Sequence, residues 1–342
     1  MPLEGFTCPP GTPTHGTRNT LEHCLGGCPH PCVAPPLLLA MWEAERANHH
    51  QGAYISASML AGSGCARQTV FERRHPFFDH PQRRYWAFRG THAHSIIERG
   101  EARLAEFGWV QELRMAVPLT YPDQPAPVFD EAGEFTGTFD ETKRLTILIG
   151  GTCDAYHPRS KTLVDFKTMA DAKAEMFVRG EKGGELSDHI DDKWIWQLNI
   201  YRWLLAKTPT PPELRERLGV KSKYLPAPTT LMIQGIAMMH IPRSGGTWSL
   251  KNKYKQLEAH DIPDVPVLAL SDTERFVREQ ALRWYRYLVL KETPPVVSRR
   301  EQWLCRNCVF NGELIPGERC HPDAERALLQ ARTPLVDDLD EP

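Results

Sequence analysis

The sequence predicts an α/β (α+β) fold in which a central mixed sheet is flanked by helices. Helix-like and strand-like patterns follow one another in the order helix, three strands, helix, strand, and the composition is that of a globular protein. Of the 342 residues, 41% are hydrophobic and 25% are charged, which excludes wholesale disorder and a fibrous fold. The net charge of −2 excludes a histone-like polycation, although a local basic surface for nucleic acid stays compatible with it.

Hydrophobic periodicity and capping residues place the elements in order along the chain. Helices are predicted at 37–48, 51–75, 90–107, 193–206 and 272–291, the second of them capped by Ser56 or Ser58. Strands are predicted at 109–117, 145–156, 162–168 and 230–241. The intervening segment 118–144 is rich in proline, glycine and acidic residues, so we expect it to project as a loop or an extra hairpin.

Three regions are predicted from composition. Residues 1–50 form an arm rich in cysteine and histidine, residues 51–325 form the main domain, and the acidic tail 326–342 is expected to be disordered. The N-terminus lacks a basic region followed by an apolar stretch, and no apolar run is long enough for a bilayer. We therefore expect a cytoplasmic protein with reduced thiols. Its nine cysteines cluster near the two ends, which favours metal ligation.

Two acidic residues and a lysine are predicted to meet on neighbouring strands. Asp165 and Lys167 are two residues apart on a strand and share a face, whereas the residues beside them point into the core. Asp154 lies near the end of the preceding strand, and a short turn at 158–161 would bring all three side chains together. Two carboxylates suit a hard divalent cation, and a nearby lysine suits the handling of a water molecule. This set indicates metal-assisted phosphodiester hydrolysis, although Asp-x-Lys alone is common on exposed strands.

Two further patterns flank this set. Gln197 and Tyr201 are four residues apart on the predicted helix 193–206 and therefore share one helical face. Upstream, the helix at 90–107 opens with Gly90 and then His94, whose neutral imidazole can complete a metal site.

The ordered set resembles the RecB-like branch of the PD-(D/E)XK nuclease superfamily, which includes the RecB and AddB nuclease domains, CRISPR-associated RecB-like exonucleases and many phage nucleases. The resemblance covers about residues 51–325, and the matching residues are Gly90, His94, Asp154, Asp165, Phe166, Lys167, Gln197 and Tyr201. It implies a restriction-endonuclease-like PD-(D/E)XK core within the predicted sheet.

The same resemblance implies a role for each residue. Mg²⁺ or Mn²⁺ would be bound by His94, Asp154, Asp165 and the carbonyl of Phe166. Lys167 would serve the nucleophilic water. The pair Gln197 and Tyr201 would position the nucleic acid near the scissile phosphate. Glu98 and Glu112 are expected to have surface or supporting roles.

An iron–sulfur subset of that family carries one cysteine before the nuclease core and three after it, and this chain resembles the subset. Cys65 matches the first position, and Cys305, Cys308 and Cys320 match the other three. The resemblance implies a [4Fe–4S] cluster that joins the N-terminal and C-terminal helical parts. The eleven residues between Cys308 and Cys320 exceed the family's usual spacing, which keeps Zn²⁺ open as the alternative.

A second cluster lies in the N-terminal arm, where Cys24, Cys28 and Cys32 recur every four residues and His30 lies between the last two. Small loops of this density can wrap zinc, so a structural Zn²⁺ on these four residues is one prediction. The others are a flexible or partner-ordered arm with free thiols and a ligand lent to the main cluster. Cys8 lies upstream, and Cys153 is expected to be buried packing.

Residues 67–89 combine arginines with interleaved aromatic residues, as a channel for single-stranded nucleic acid does. The predicted nucleic-acid path is Arg73, Arg74, Arg83 and Arg84. The competing interpretation is a solvated helix face whose aromatic residues belong to the core.

Together these patterns predict a metal-dependent DNA nuclease, and the resemblance favours a single-stranded DNA exonuclease of recombination, repair or phage and CRISPR DNA processing. One alternative is an endonuclease or nickase on the same core. Another is a non-catalytic DNA-binding partner of a helicase or recombinase. A third is a zinc-structured scaffold in which Asp154 and Asp165 are surface charges. The expected setting is the cytoplasm of a bacterial or phage-infected cell, with DNA as partner and no membrane contact.

Overall fold

The computed structural model is a mixed α/β structure whose sheets are flanked by helices. The residues that it describes are 3–9, 12–26, 28–29, 32–48, 55–62, 64–75, 77–169, 191–237, 265–295 and 308. The strands are β1 Leu3–Thr7, β2 Arg18–Thr20, β3 Ile55–Ser56, β4 Phe77–Asp79, β5 Val110–Phe129, β6 Phe135–His157, β7 Thr162–Met169 and β8 Thr230–Ala237.

The helices of the described residues match the predicted positions in part, and the short helix Leu21–Gly26 was not predicted. They are α1 Leu21–Gly26, α2 Pro35–Asn48, α3 Ala57–Leu60, α4 Ala66–Arg74, α5 Pro81–Glu98, α6 Glu101–Glu106, α7 Asp192–Lys207, α8 Pro212–Leu218 and α9 Leu270–Leu288. The predicted helix 90–107 is the end of α5 followed by α6, and the predicted connection 209–228 contains α8. None of these helices is long and apolar enough to cross a membrane.

The predicted helix 51–75 is two helices separated by a turn. Its predicted cap is confirmed, because Met59 N donates to Ser56 Oγ at 3.3 Å at the start of α3. The chain then turns through Gly62 and Gly64, whose φ angles of 83° and 105° lie in the left-handed region that favours glycine. A continuous helix cannot pass through two such residues, so α4 begins only after Cys65.

The chain divides into two compact units, and neither is a continuous stretch of sequence. The first comprises Met1–Ala53, Gly62–Arg89 and Tyr285–Pro342, and the second comprises Tyr54–Ala61 and Gly90–Trp284. The predicted boundary after residue 50 lies close to one edge of this division. The first unit also contains two later segments, so the N-terminal residues share a compact unit with them.

A three-stranded sheet organises the first unit. Strand β1 pairs antiparallel with β2 and parallel with β4. Leu3 and Phe6 on β1 and Leu38 and Met41 on α2 are each 2% exposed or less, and they form the core of this unit. The sequence analysis did not predict this sheet, because strands of three to five residues are too short to show an alternating pattern.

A long antiparallel hairpin of β5 and β6 dominates the second unit. The pairing runs from Val110 opposite Tyr156 to Phe129 opposite Phe135. The segment 118–144 therefore extends both strands, which confirms the extra-hairpin alternative. The other side of β6 pairs parallel with β3 and antiparallel with β7, and β7 pairs parallel with β8. The resulting five-stranded sheet is mixed, as predicted.

Helix α7 packs its apolar residues against this sheet and fixes the segment before α9. Asn199 on α7 is 0% exposed, and its side chain donates to the carbonyls of Ile195 and Pro266, both at 2.9 Å. Its Oδ1 accepts from Leu268 N, also at 2.9 Å. A buried amide with its groups satisfied in this way holds a segment about seventy positions away in the sequence against the helix.

We expect Asn199→Leu to lower the free energy of unfolding by roughly 1–3 kcal/mol, because it removes the partner of the backbone groups of Pro266 and Leu268. Urea unfolding followed by circular dichroism measures this change. Lys193→Leu on the same helix, at an exposed position, is the matched control and is expected to stay near the wild-type value. Equal stability of the two variants would contradict the anchoring role of Asn199.

Candidate active site

The β6–β7 hairpin brings the two predicted carboxylates together. Its pairs are His157 with Thr162, Tyr156 with Leu163 and Ala155 with Val164. One step further along the same register, Asp154 lies opposite Asp165. The predicted hairpin across the turn at 158–161 is therefore confirmed.

The two carboxylates have different surroundings. Asp154 is partly exposed, and its Oδ2 accepts from the backbone N of Phe166 at 2.6 Å. Asp165 is 2% exposed and lies 2.7 Å from Lys167 Nζ through its own Oδ2. A buried carboxylate is costly unless it is paired, so Asp165 is poorly described as a surface charge. This burial argues against the scaffold interpretation of the site.

A hydrogen-bonded chain leads from Asp165 to helix α7. Lys167 Nζ donates to Gln197 Oε1 at 3.0 Å, and Gln197 Nε2 donates to Tyr201 OH at 3.0 Å. The predicted common face of Gln197 and Tyr201 is thus confirmed. Burial, followed by the charge of Asp165, raises the pKa of Tyr201, so its phenol stays neutral. These hydrogen bonds fix the direction in which the ammonium of Lys167 points.

A close approach between β6 and α7 sets the position of Tyr201. A Cβ atom built on Gly151 would lie 2.9 Å from Tyr201 Cε1 and 3.2 Å from the Cβ of Ala57. Both neighbours are buried and have little room to shift, so the tyrosine ring can lie on the strand only where the residue lacks a side chain. The glycine three residues before Asp154 thus determines how close the helix comes to the carboxylates.

Glu112 is a candidate that the sequence analysis placed in a surface or supporting role. Its neighbours Gln111 and Leu113 pair with Ala155 and Cys153, so the unshifted register sets Glu112 opposite Asp154, and its φ of 46° is a local irregularity of β5. The residue is exposed, yet partial burial of its carboxyl and the neighbouring Asp154 raise its pKa to about 7. The register of β5 on β6 brings it to the carboxylates, and the local sequence does not show that register.

Other predicted ligands are placed only in part. Residue 94 lies in α5, but the side chain of His94 lies outside the described residues. Glu98, at the end of the same helix, is exposed and contributes to the raised pKa of Glu112. In the described part of the chain, no group of three or more His, Cys, Asp or Glu side chains stands ready to hold a metal ion. The Asp154–Asp165 pair nevertheless offers the hard oxygen donors that Mg²⁺ and Mn²⁺ prefer.

Two residues of the predicted iron–sulfur set belong to the first unit. Cys65 is 8% exposed and is the N-cap residue of α4, where the helix dipole favours a thiolate. Cys308 is partly exposed, whereas Cys305 and Cys320 lie outside the described residues. Cys153 is 0% exposed in the second unit, which confirms its predicted packing role.

Four other cysteines of the first unit surround one small cavity. Cys8, Cys24, Cys28 and Cys32 line it together with Phe6, Thr7 and Leu38. Burial, followed by the nearby thiols of Cys28, Cys32 and Cys8, raises the pKa of Cys24 to about 11. The predicted zinc ligand His30 lies outside the described residues, whereas Cys8, which was not among the four predicted ligands, lines the cavity.

The predicted nucleic-acid path needs correction at Arg84. The side chain of Arg84 is 11% exposed, and its guanidinium lies 2.5 Å from both Asp79 and Glu45 and 3.9 Å from Glu72. The Arg84 guanidinium therefore pairs with carboxylates of the first unit, and we do not include it among the residues that would contact nucleic acid. Phe77, over which Arg84 stacks at 5.2 Å, is only 3% exposed and belongs to the core.

Arg74 also has a structural role, because its Nη2 donates to the carbonyl oxygens of Tyr287 and Glu292 near the end of α9. This contact ties α4 to the segment that leads toward Cys308. Arg73 is partly exposed, and the side chain of Arg83 lies outside the described residues. Of the four predicted residues, these two stay predictions for contact with nucleic acid.

Comparisons with known proteins leave the family open. No protein-family model matches the chain, and no curated protein matches it. One solved structure that it is similar to is described as "Crystal structure of SSO0001", with 14% identity and a TM-score of 0.40. That likeness covers 82% of this chain and 94% of the other. At this identity and TM-score it supports no conclusion about fold family or activity.

The raised pKa of Glu112 predicts a pH effect on stability in the absence of divalent ions. The folded state holds a proton on this carboxyl up to about pH 7, whereas the ordinary value is 4.5. Folding therefore takes up a proton between these values, and the free energy of unfolding falls as the pH rises through them. In Glu112→Gln this group no longer titrates, so we expect a smaller decrease between pH 4.5 and 7.

Urea midpoints measured across this pH range in a chelator test the prediction. Glu213→Gln, which removes an exposed carboxyl on α8, is the control and should follow the wild-type curve. If the Glu112→Gln curve also matches the wild type, the raised pKa is wrong.

Proposed function

We propose that the protein is a metal-dependent DNA nuclease with a PD-(D/E)XK core. The observation that carries the proposal is the buried Asp165 paired with Lys167, opposite Asp154 across a hairpin and joined to Gln197 and Tyr201 on α7. A buried acid–lysine pair beside a second carboxylate is costly to maintain for stability alone. Groups of this kind cluster at sites where charge must be handled during a reaction.

The two carboxylates are the residues that would hold the metal ion. Both are available on one side of the β6–β7 hairpin, and His94 and the Phe166 carbonyl are the further ligands that the family resemblance implies. A bound Mg²⁺ or Mn²⁺ supplies a Lewis acid and lowers the pKa of a coordinated water. The hydrogen bond from Phe166 N to Asp154 holds that carboxylate in place before substrate arrives.

Lys167 is the residue that would act on the attacking water. Its ammonium has three hydrogens, and contacts to Asp165 and Gln197 orient it at a half-buried position that is 21% exposed. The remaining hydrogen can bind a water or a phosphate oxygen at the site. Gln197 contacts this lysine and Tyr201 contacts Gln197, so both orient it, and their part in positioning the nucleic acid rests on the family resemblance.

The favoured substrate is single-stranded DNA, cleaved from an end, with a helicase or recombinase as the partner that supplies it. This finer assignment rests on the resemblance of the ordered residues to RecB-like nucleases. The same resemblance supports a [4Fe–4S] cluster, or alternatively Zn²⁺, on Cys65, Cys305, Cys308 and Cys320. Cys65 lies at the N-terminus of α4, in the same unit as Cys308. This location supports a cluster that joins the N-terminal and C-terminal helical parts.

End-labelled single-stranded DNA with Mn²⁺ tests the proposal. We expect cleavage by the wild type, loss of cleavage in a chelator, and a decrease of roughly 10²–10⁴-fold in Lys167→Met. Asp165→Asn should lose activity as well, because it removes a carboxylate that would bind the ion. Lys143→Met removes an exposed lysine on β6 and is the matched control, with wild-type activity expected.

Thermal unfolding of each variant separates lost chemistry from lost folding. Wild-type cleavage by folded Lys167→Met and folded Asp165→Asn would overturn the proposal, since any activity would then arise elsewhere. A folded, metal-loaded wild type that binds DNA without cleaving it would favour the non-catalytic alternative. Cleavage of a circular single-stranded substrate would replace the exonuclease with an endonuclease on the same core.

A further inference from the structure

Four cysteines that are scattered over the first 32 residues converge on one cavity of the first unit. Cys8 follows the end of β1, Cys24 lies on α1, and Cys28 and Cys32 lie on the segment between α1 and α2. Random buried thiols seldom line the same small cavity from separate elements. Their convergence is therefore a feature that needs a chemical explanation, and the proposed nuclease chemistry in the second unit does not use it.

The fold of the N-terminal residues sets the position of Cys8. Its backbone N donates to Thr17 O at 2.9 Å, and its carbonyl accepts from Gly16 N at 3.1 Å. These bonds close the loop between β1 and β2 and hold the Cys8 side chain toward α1. Cys24 and Cys28 are four residues apart, as are Cys28 and Cys32, which lets three thiols approach one point from the other side.

A second observation concerns the sulfur of Cys8. Two side chains donate to the sulfur of Cys8, Thr14 Oγ1 at 3.2 Å and Asn19 Nδ2 at 3.1 Å. A thiol is a weak hydrogen-bond acceptor, so two donors aimed at one sulfur are unusual surroundings for a cysteine that only packs in the core. Donors to the ligand atom are the usual surroundings of a metal-bound residue, because they orient the ligand and spread its charge.

The size of the cavity favours a single ion over a cluster of several metal atoms. Its volume is about 10 Å³, close to the space that one water molecule needs. Phe6 and Leu38 supply apolar walls beside the sulfurs, which limits access of water. Four thiolates around one atom are the ligand set of structural zinc sites, and soft sulfur ligands disfavour Mg²⁺ or Ca²⁺.

We propose that Cys8, Cys24, Cys28 and Cys32 bind one Zn²⁺ as a structural site of the first unit. This ligand set differs from the sequence prediction, which had His30 in place of Cys8. Cys8 is buried, Cys24 and Cys28 are partly exposed and Cys32 is exposed, so the four sulfurs would move closer together when they bind the ion. The ion links this segment to β1 and stabilises the first unit against unfolding.

Metal analysis of the full-length protein tests the proposal. We expect one zinc ion per chain in the wild type and in Cys153→Ala, the matched control in the second unit, and loss of that zinc in Cys24→Ser. Cys8→Ser is expected to lose it as well, whereas His30→Ala is expected to keep it. Full zinc in Cys8→Ser together with loss in His30→Ala would overturn the proposed ligand set.

The test also distinguishes this zinc site from the proposed iron–sulfur cluster. Cys65→Ser is expected to keep the zinc ion, whatever it does to iron and colour, and Cys24→Ser is expected to keep the iron. Loss of iron and visible absorption in Cys24→Ser, with no zinc in the wild type, would show that these cysteines serve the cluster and would overturn the zinc site.

A measurement on the wild type keeps the proposal testable even where a serine variant fails to fold. A chelator should make four additional thiols reactive toward a disulfide reagent, and added Zn²⁺ should protect them again. Cobalt substitution should give the absorption of a tetrahedral thiolate site. Thiols that react equally with and without Zn²⁺, or a cobalt spectrum without thiolate bands, would overturn the proposal.

Discussion

The burial of Asp165 beside Lys167 is the constraint on which the account of the second unit depends. A carboxylate that is 2% exposed needs a partner, and the strand that carries it supplies the partner two residues later on the same face. The register of the β6–β7 hairpin then sets Asp154 directly opposite. Helix α7 completes the arrangement, because Gln197 reaches the lysine only where the packing of α7 on β6 brings it close.

The local patterns of the sequence were sufficient to predict two pairs of these residues. Strand alternation and a short turn grouped Asp154 with Asp165, and a four-residue helical spacing put Gln197 and Tyr201 on one face. Joining the two pairs into one site rested on the family resemblance. Glu112 could not be grouped with them, because its place opposite Asp154 follows from the register of β5 on β6, and its positive φ has no signature in the composition. Its raised pKa arises from neighbours on another strand and another helix, which only the folded chain brings near.

The first unit contains features that the sequence patterns could not predict. Its three-stranded sheet consists of very short strands, and the part played by Cys8 follows from the closing of the β1–β2 loop rather than from any cysteine spacing. The number of arginines in a segment was also insufficient to predict where nucleic acid binds. Arg84 and Arg74 are used in ion pairs and helix-end contacts, because a long guanidinium can satisfy buried acceptors as readily as a phosphate. Charge along a sequence predicts a binding path only once burial is known.

The central claim is that Asp154 and Asp165 together hold a catalytic divalent ion. Anomalous scattering from a crystal of the full-length protein grown with Mn²⁺ tests it most directly. The account predicts a manganese peak about 2 Å from one oxygen of each carboxylate, near the Lys167 ammonium, and no such peak in crystals of Asp165→Asn. Manganese bound elsewhere, with none between these two carboxylates, would contradict it.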